Sequence, residues 1–536
     1  MKITGMHFIA GKPVDSRASG TFRGENPAGR VKLDPEFAEA GEIEVDAAVS
    51  TAAEAFTDFR SRPTEQRALL LEAIADEVEA LGDALLERAN AETGLPIGRL
   101  QVERARATTQ ARDYANFIRD GVWRDARIDV GDPDREVDGQ PRPKPDVRSH
   151  FQALGPVVVF GASNFPIAIS VVGADCVGAL ATGCPIIAKG HPAHPGTSEL
   201  LATAVNRAIA ELKLPAGVFS LLQGSTPEFG AALVRHPKTS AVAFTGSLRV
   251  GRILADIAAA RPVPIPFYGE LGSVNPVFVL PEAMAHHGAE IAQGFVASLT
   301  MGVGQFCTNP GIVLAQSAEG FDAFADSVSQ AATAAPPATM LHAGIHGAFH
   351  AGLDRLAKTK GVTTFAKSSH ESSDAQCHSL CTVYQTSAEN LLATPSLKEE
   401  VFGPVSILAR CDSAEQLTAF AKTLDGSLTA TIHGTESELR EYETLVRVLE
   451  EKVGRVIFNG FPTGIEPCHA MHHGGPYPAS THPGFTSIGT RTISKFGRPV
   501  CYQDVPDVTL PAELQNANPL GIVRLVNGTL TRDAIE

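Results

Sequence analysis

The sequence predicts an α/β protein built on open, doubly wound parallel sheets. Three observations lead there. Short β-branched apolar runs recur between residues 155 and 280, helical stretches separate them, and a second block of the same alternation follows. Strand, helix, strand in repetition sets successive strands parallel, with helices on both faces. Such sheets bind ligands at the carboxyl ends of their strands.

Residues 44–120 read as helical, with apolar residues at three- and four-residue spacing and Glu and Arg between them. Gly94 and Pro96 punctuate the pattern, and residues 121–147, rich in Gly, Pro, Asp and Arg, read as a loop or extended arm. Gly155-Pro-Val-Val-Val-Phe160 is the first buried strand, followed by runs at 185–189, 218–222, 241–244 and 276–280. The intervening helices are expected at 167–182, 197–212, 227–236 and 248–260. In the second block, helices are expected at 283–300 and 316–336, and strands near 405–408, 428–432 and 454–458. Residues 461–490, rich in Gly, Pro, His and Thr, are expected to form an ordered loop over a site.

The 536 residues exceed one ordinary core, and 43% hydrophobic with 20% charged residues is a globular composition. A net charge of -15 argues against nucleic acid or an anionic membrane as partner. Eight scattered cysteines show no disulfide framework, and no secretory signal or apolar span is evident; the expectation is a cytoplasmic protein.

Cys307, in Gly304-Gln-Phe-Cys307-Thr308-Asn, is flanked by small and amide residues and is a candidate nucleophile; an inert buried thiol is the alternative. Asn164 follows the first strand, where an amide can serve an oxyanion or simply a turn. Lys189 ends the second strand and can reach ribose hydroxyls or phosphate, or be a surface lysine. Phe244-Thr-Gly246-Ser247 reads as strand, turn and helix start, a partial anion-binding pattern continued by Gly251. Glu270, framed by Gly269 and Gly272, is a candidate general base, and Glu400 lies similarly before a strand or is a helix-end charge. Cys468-His469-Ala-Met-His472-His473 and Cys377-His378-Ser-Leu-Cys381 match no standard zinc spacing. The first is assigned to a substrate loop, and no metal is expected.

In this order, Asn164-Phe-Pro166, Lys189, Phe244-Thr-Gly-Ser247, Glu270-Leu-Gly272, Gly304-Gln-Phe-Cys307 and Glu400-Val-Phe-Gly-Pro404 resemble the aldehyde dehydrogenase superfamily over roughly residues 20–500. The resemblance implies two doubly wound parallel-sheet domains plus a small β oligomerisation arm. It implies a cofactor-binding domain at 1–138 and 153–279, a catalytic domain at 280–485, an arm at 139–152 and 486–510, and a tail at 511–536. Cys307 would attack the aldehyde, Asn164 and the Cys307 N–H would hold the oxyanion, and Glu270 would activate water. Lys189, Ser163, Pro192, Gly246, Ser247, Gly251, Leu271, Glu400 and Phe402 would surround NADP or NAD. NADP is slightly favoured, because Pro192 stands where many members carry the Glu that repels a 2′-phosphate.

The strings 189–199, 473–480 and 498–503 resemble the branch holding 2-oxoglutarate semialdehyde and NADP-dependent fatty-aldehyde dehydrogenases. A small anionic aldehyde would want an arginine for its carboxylate; Arg106 and Arg112 are candidates, and Phe165, Phe306 and Thr308 are candidates for other substrate contacts. Solvated helix charges are the alternative reading of those arginines. A long-chain aldehyde enzyme, a thiol-dependent hydrolase and a catalytically silent relative are the other functions weighed. The resemblance implies a homodimer or homotetramer.

Overall fold

The structure, a computed structural model, describes residues 2–535; Met1 and Glu536, the outer limits of the expected first domain and tail, lie outside them. Four helices lead: α1 (Glu42–Ser61), α2 (Thr64–Ala80), α3 (Gly82–Thr93) and α4 (Ile97–Arg119). Apolar stripes such as Leu70, Leu71, Ile74 and Val78 on α2 are fully buried, joining the core under the first sheet.

That sheet has the strand order 267–270, 241–245, 157–160, 186–189, 219–222, 7–9, 12–14. The first five are parallel, and the N-terminal hairpin adds antiparallel at 219–222. Helices α5 (Ala174–Thr182), α6 (Pro195–Glu211), α7 (Pro227–Arg235) and α8 (Leu248–Ala259) link these strands. Val157, Val158, Ile186, Ile187 and Val242 have no exposed surface, as strands covered on both faces require.

The second sheet runs 363–367, 382–387, 405–411, 312–316, 277–279, 427–433, 453–458, with only the first strand antiparallel. Helices α9 (Pro281–Thr300), α10 (Phe321–Ala334) and α11 (Ala343–Lys358) belong to it. A third sheet, of order 497–503, 147–153, 127–129, 524–526, 529–531, forms the arm.

Three expectations are corrected. The run at 276–280 belongs to the second sheet; the fifth strand of the first is Phe267–Glu270, whose Phe267 and Tyr268 are only half-buried, so no apolar run marks it. The helix expected from residue 167 begins at Ala174, because 167–173 fold into turns; a Cβ at Gly173 would lie 2.8 Å from the Ala168 carbonyl oxygen. The segment 511–536 is no free tail. Strands Arg524–Val526 and Thr529–Thr531 extend the arm sheet, as does Arg127–Asp129, with Arg524 fully buried.

Candidate active site

Parallel register brings the site together. Phe160 lies opposite Lys189 on one side and Phe244 on the other, and Thr245 lies opposite Glu270. The turn after Phe160 carries Asn164, so amide, lysine and carboxylate leave one edge of one sheet. Beside Glu270, Leu271 N donates to Ala479 O at 2.8 Å and Thr481 N to Gly269 O at 2.9 Å. These bonds tie the loop after 459 along the strand that carries the carboxylate.

Cys307 sits in a tightly built turn. Gly302, Val303 and Gly304 all have positive φ, and a Cβ at Gly304 would lie 2.3 Å from the Gly403 carbonyl carbon. Only glycine admits that approach, which explains why the Gly304-Gln-Phe-Cys and Val-Phe-Gly403-Pro strings meet. Asn309 Nδ2 donates to Gly403 O at 3.0 Å, closing the same contact. Beneath the turn, Asn275 (φ 48) donates from Nδ2 to the carbonyls of Cys307 and Asn309 at 2.9 and 3.0 Å. Its Oδ1 accepts from Ser273 and Thr429. Asn164 Nδ2 donates to Gln305 O at 3.0 Å, leaving the amide's second hydrogen for a ligand.

The contact that the sequence reading missed is made by His473. Its Nε2 lies 3.2 Å from Cys307 Sγ and 2.8 Å from Glu270 Oε1. The loop fixes it through His473 N donating to Thr486 Oγ1 at 2.7 Å and Ser487 N donating to His473 O at 2.9 Å. The string 468–473 therefore splits: Cys468 is exposed, His469 contacts Thr490, and His473 alone enters the site. Burial and then the Glu270 carboxylate push the Cys307 thiol well above its ordinary range, while Arg106 pulls it down. For Glu270, burial works upward, but the contact with His473 overcomes it and holds the carboxyl below its usual range. One imidazole nitrogen thus stands between the thiol and the carboxylate.

A cavity of ≈ 700 Å³ opens from Cys307 and Glu270 past Ser163, Gly246, Ser247, Leu271, Glu400 and Phe402 to His191 and His342. Its residues fit a dinucleotide. Ser247 caps α8, whose first N–H groups form an anion-binding terminus. Glu400 is solvent-accessible on the cavity wall and Lys189 is half-buried; desolvation by the surrounding protein pushes the carboxyl up to about 8 and the ammonium down to about 8. Neither has a salt-bridge partner among the described residues, as expected of groups shaped for hydroxyls. Lys189 does not line the cavity, but His191, two residues on, does. Pro192 and Gly251 do not line the cavity, and for Gly251 the reason is packing: a Cβ there would lie 2.2 Å from Leu271 Cδ2.

Phe165 and Phe306 form an edge-to-face pair with centroids 5.3 Å apart, beside the thiol. Arg106 lies 5.2 Å over Phe165, and its buried Nε has no partner. Arg99 covers both rings at 5.0 and 5.2 Å. Arg112 is corrected: it points away, paired at 2.7 Å with both Asp76 and Glu79. At about 100° per residue, positions 106 and 112 lie about 120° apart on α4, so one site cannot take both. Thr308 is wholly buried with an unpartnered Oγ1. A further arginine, Arg455, feels the Cys307 charge from strand 453–458 and also has a buried, unpartnered Nε. Apolar neighbours hide Arg455 in the sequence, where it reads only as a strand residue.

The sequence pattern of the Aldehyde dehydrogenase family matches residues 14–480. Over 529 residues the chain is 47% identical to alpha-ketoglutaric semialdehyde dehydrogenase 2 of Azospirillum brasilense, covering 98% of this chain and 99% of that one. It is 43% identical over 532 residues to alpha-ketoglutaric semialdehyde dehydrogenase of Acinetobacter baylyi, covering 99% of each. The crystal structure of the aldehyde dehydrogenase KauB from Pseudomonas aeruginosa superposes with TM-score 0.79 at 20% identity, over 94% of this chain and 97% of that one. That likeness carries the fold, and the two sequence matches carry the kinship. This chain belongs to the aldehyde dehydrogenase family.

Proposed function

We propose that this enzyme oxidises 2-oxoglutarate semialdehyde (2,5-dioxopentanoate) to 2-oxoglutarate with NAD(P), through a thioester on Cys307. The observation that carries the chemistry is His473 Nε2 lying within reach of both Cys307 Sγ and Glu270 Oε1. Cys307 gives its proton to the Glu270 carboxylate, its hydrogen-bond partner, as Sγ bonds the aldehyde carbon, forming a thiohemiacetal. Asn164 Nδ2 and the Cys307 N–H hold the oxyanion. The nicotinamide, when bound, is the hydride acceptor, and loss of hydride leaves the thioester. Glu270, having released that proton to solvent and held in place by the His473 Nε2–H, then takes a proton from water as it attacks the thioester, and returns it to the Cys307 thiolate as that leaves. Glu400 and Lys189 hold ribose hydroxyls, and Ser247 with the α8 terminus holds the pyrophosphate.

The substrate reading rests on Arg106 and Arg455. Two half-buried guanidinium groups near the thiol, each with a buried, unpartnered Nε, suit a short aldehyde ending in a carboxylate. They oppose a long apolar chain. The names of the two relatives point to the same aldehyde. Within this reading NADP is slightly favoured over NAD: Pro192 offers no carboxylate, and His191, His194 and His342 cluster near Lys189.

The reading includes a cytoplasmic homodimer or homotetramer. All eight cysteines are free, strand 497–503 is an open edge of the arm sheet, and α8 exposes Leu248, Val250 and Ile253. Among the described residues no helix is long and apolar enough to cross a membrane.

The test is a comparison of kcat/KM for 2-oxoglutarate semialdehyde, succinic semialdehyde and a long-chain aldehyde, each with NAD and NADP. The dicarboxylate-yielding C5 aldehyde should lead. Faster turnover of the long-chain aldehyde would overturn the substrate assignment.

A further inference from the structure

Away from the active site, α11 carries His346 and His350 one turn apart, on one helix face. Their Nε2 atoms lie 3.1 Å from each other. Asp374 Oδ1 lies 3.9 Å from His346 Nε2, and the His378 carbonyl oxygen lies 3.1 Å from it. One atom each from His346, His350 and Asp374 falls within 4.8 Å of the other two. His346 is largely buried, whereas His350 and Asp374 are exposed, so the cluster is rooted in the fold and open to solvent.

Hydrogen bonding alone leaves this arrangement unsatisfied. Only one of two facing neutral Nε2 atoms can donate to the other, and if His346 donates to the His378 carbonyl it cannot also accept from His350. A cation resolves the conflict by accepting a lone pair from every donor. An ion about 2.1 Å from each of four tetrahedral donors sets them about 3.4 Å apart, and the 3.1 to 3.9 Å separations bracket that value. Two imidazoles, one carboxylate and a carbonyl suit a borderline divalent ion better than Mg2+ or Ca2+.

We propose that His346, His350, Asp374 and the His378 carbonyl form a binding site for a divalent transition-metal ion of the Zn2+ class. This sets aside the expectation of no metal at this one place. The ion ties α11 to the segment 374–378. Other residues of α11, Ile345, Phe349 and Gly352, line the active-site cavity, so occupancy braces one of its walls.

Co2+ is the probe, titrated into the full-length Cys307→Ala protein, which removes the one thiol of the competing Glu270–Cys307–His473 cluster. The expected result is a visible ligand-field spectrum that saturates at one Co2+ per chain, lacks thiolate charge transfer and is displaced by Zn2+. Adding His350→Ala should abolish it, and adding Asp374→Asn should weaken Co2+ at least about tenfold. Both positions are exposed, and an unchanged thermal midpoint of the metal-free variants checks that they fold. Absence of the spectrum, or its persistence in the His350→Ala protein, would overturn the site.

Discussion

His473 Nε2 lies 2.8 Å from Glu270 Oε1, with both side chains almost wholly buried. Because the same nitrogen faces Cys307 Sγ at 3.2 Å, thiol and carboxylate communicate through one imidazole. The loop between 459 and 489 therefore supplies a side chain to the site and is not merely a cover over it.

His473→Gln keeps a hydrogen-bonding side chain beside Glu270 but loses the Nε2–H fixed between the carboxylate and the thiol. The expected outcome is a fall in kcat of about 10²-fold, the lower end of what a positioned acid–base group contributes. Cofactor affinity should be unchanged, since His473 does not line the cavity. Steady-state rates and equilibrium cofactor binding check this. A rate within about twofold of wild type would show that the imidazole does not position the base.

Alkylation of Cys307 by iodoacetamide in the free enzyme reads the thiol directly. Burial and the neighbouring Glu270 charge raise its pKa, so the thiolate fraction is small at neutral pH and grows as pH rises. The alkylation rate should climb by about tenfold per pH unit between about 7 and about 9. Glu270→Gln removes a raising charge and should speed alkylation at fixed pH; Arg106→Ala removes a lowering one and should slow it. A rate already flat near pH 7 would mean that the thiol is ionised in the resting site.

Much of this was legible in the chain. Buried strands ending at Phe160, Lys189 and Phe244 announce themselves as apolar runs, and parallel pairing then sets their carboxyl ends side by side. The motif residues Asn164, Glu270 and Cys307 follow from that placement. Three things were hidden. Strand 267–270 carries Gly and Tyr in place of a β-branched run, so Glu270 reads as a loop residue. His473 lies 166 residues beyond Cys307 in a segment without helix or strand, and no local period predicts where such a loop lands. Arg106 and Arg112 look equivalent in sequence; only the neighbouring acids of α2, Asp76 and Glu79, separate them.

That separation predicts opposite kinetics. Arg106→Ala should raise KM for 2-oxoglutarate semialdehyde by about 10- to 100-fold, the loss of a charge-assisted hydrogen bond, while sparing a neutral aldehyde. Arg112→Ala should leave both substrates within about twofold, since its exposed ion pairs are worth little. Equal effects on the charged and the neutral aldehyde would show that Arg106 only packs against Phe165.

Asn275 is the hidden support of the nucleophile turn. It bridges Cys307 and Asn309 carbonyls to Ser273 and Thr429 from a left-handed backbone that asparagine tolerates. Asn275→Ala strands buried polar partners and should cost about 1–3 kcal/mol of stability, read as a lower thermal midpoint. It should also lower kcat, because the carbonyl that sets the Cys307 backbone loses its donor. A stable variant with an unmoved kcat would assign the turn's geometry to Gly304 and Gly403 alone.

Glu400 offers the last prediction, because its place on the cavity wall sets two properties against each other. Its carboxyl titrates near about 8 in the folded chain, against an ordinary 4.5. The folded state therefore binds this proton more tightly than the unfolded state does, and stability falls as pH rises from about 4.5 to about 8. In the cofactor-free enzyme, Glu400→Gln removes that loss. Its thermal midpoint should match wild type near pH 5 and exceed it near pH 8. The same substitution removes the charged acceptor for ribose hydroxyls and should weaken cofactor binding by about 10-fold or more. Thermal unfolding at the two pH values, paired with cofactor titration, tests both signs. A variant that is less stable near pH 8 would mean that the carboxylate is already held by partners within the fold, leaving it no reason to bind a ribose.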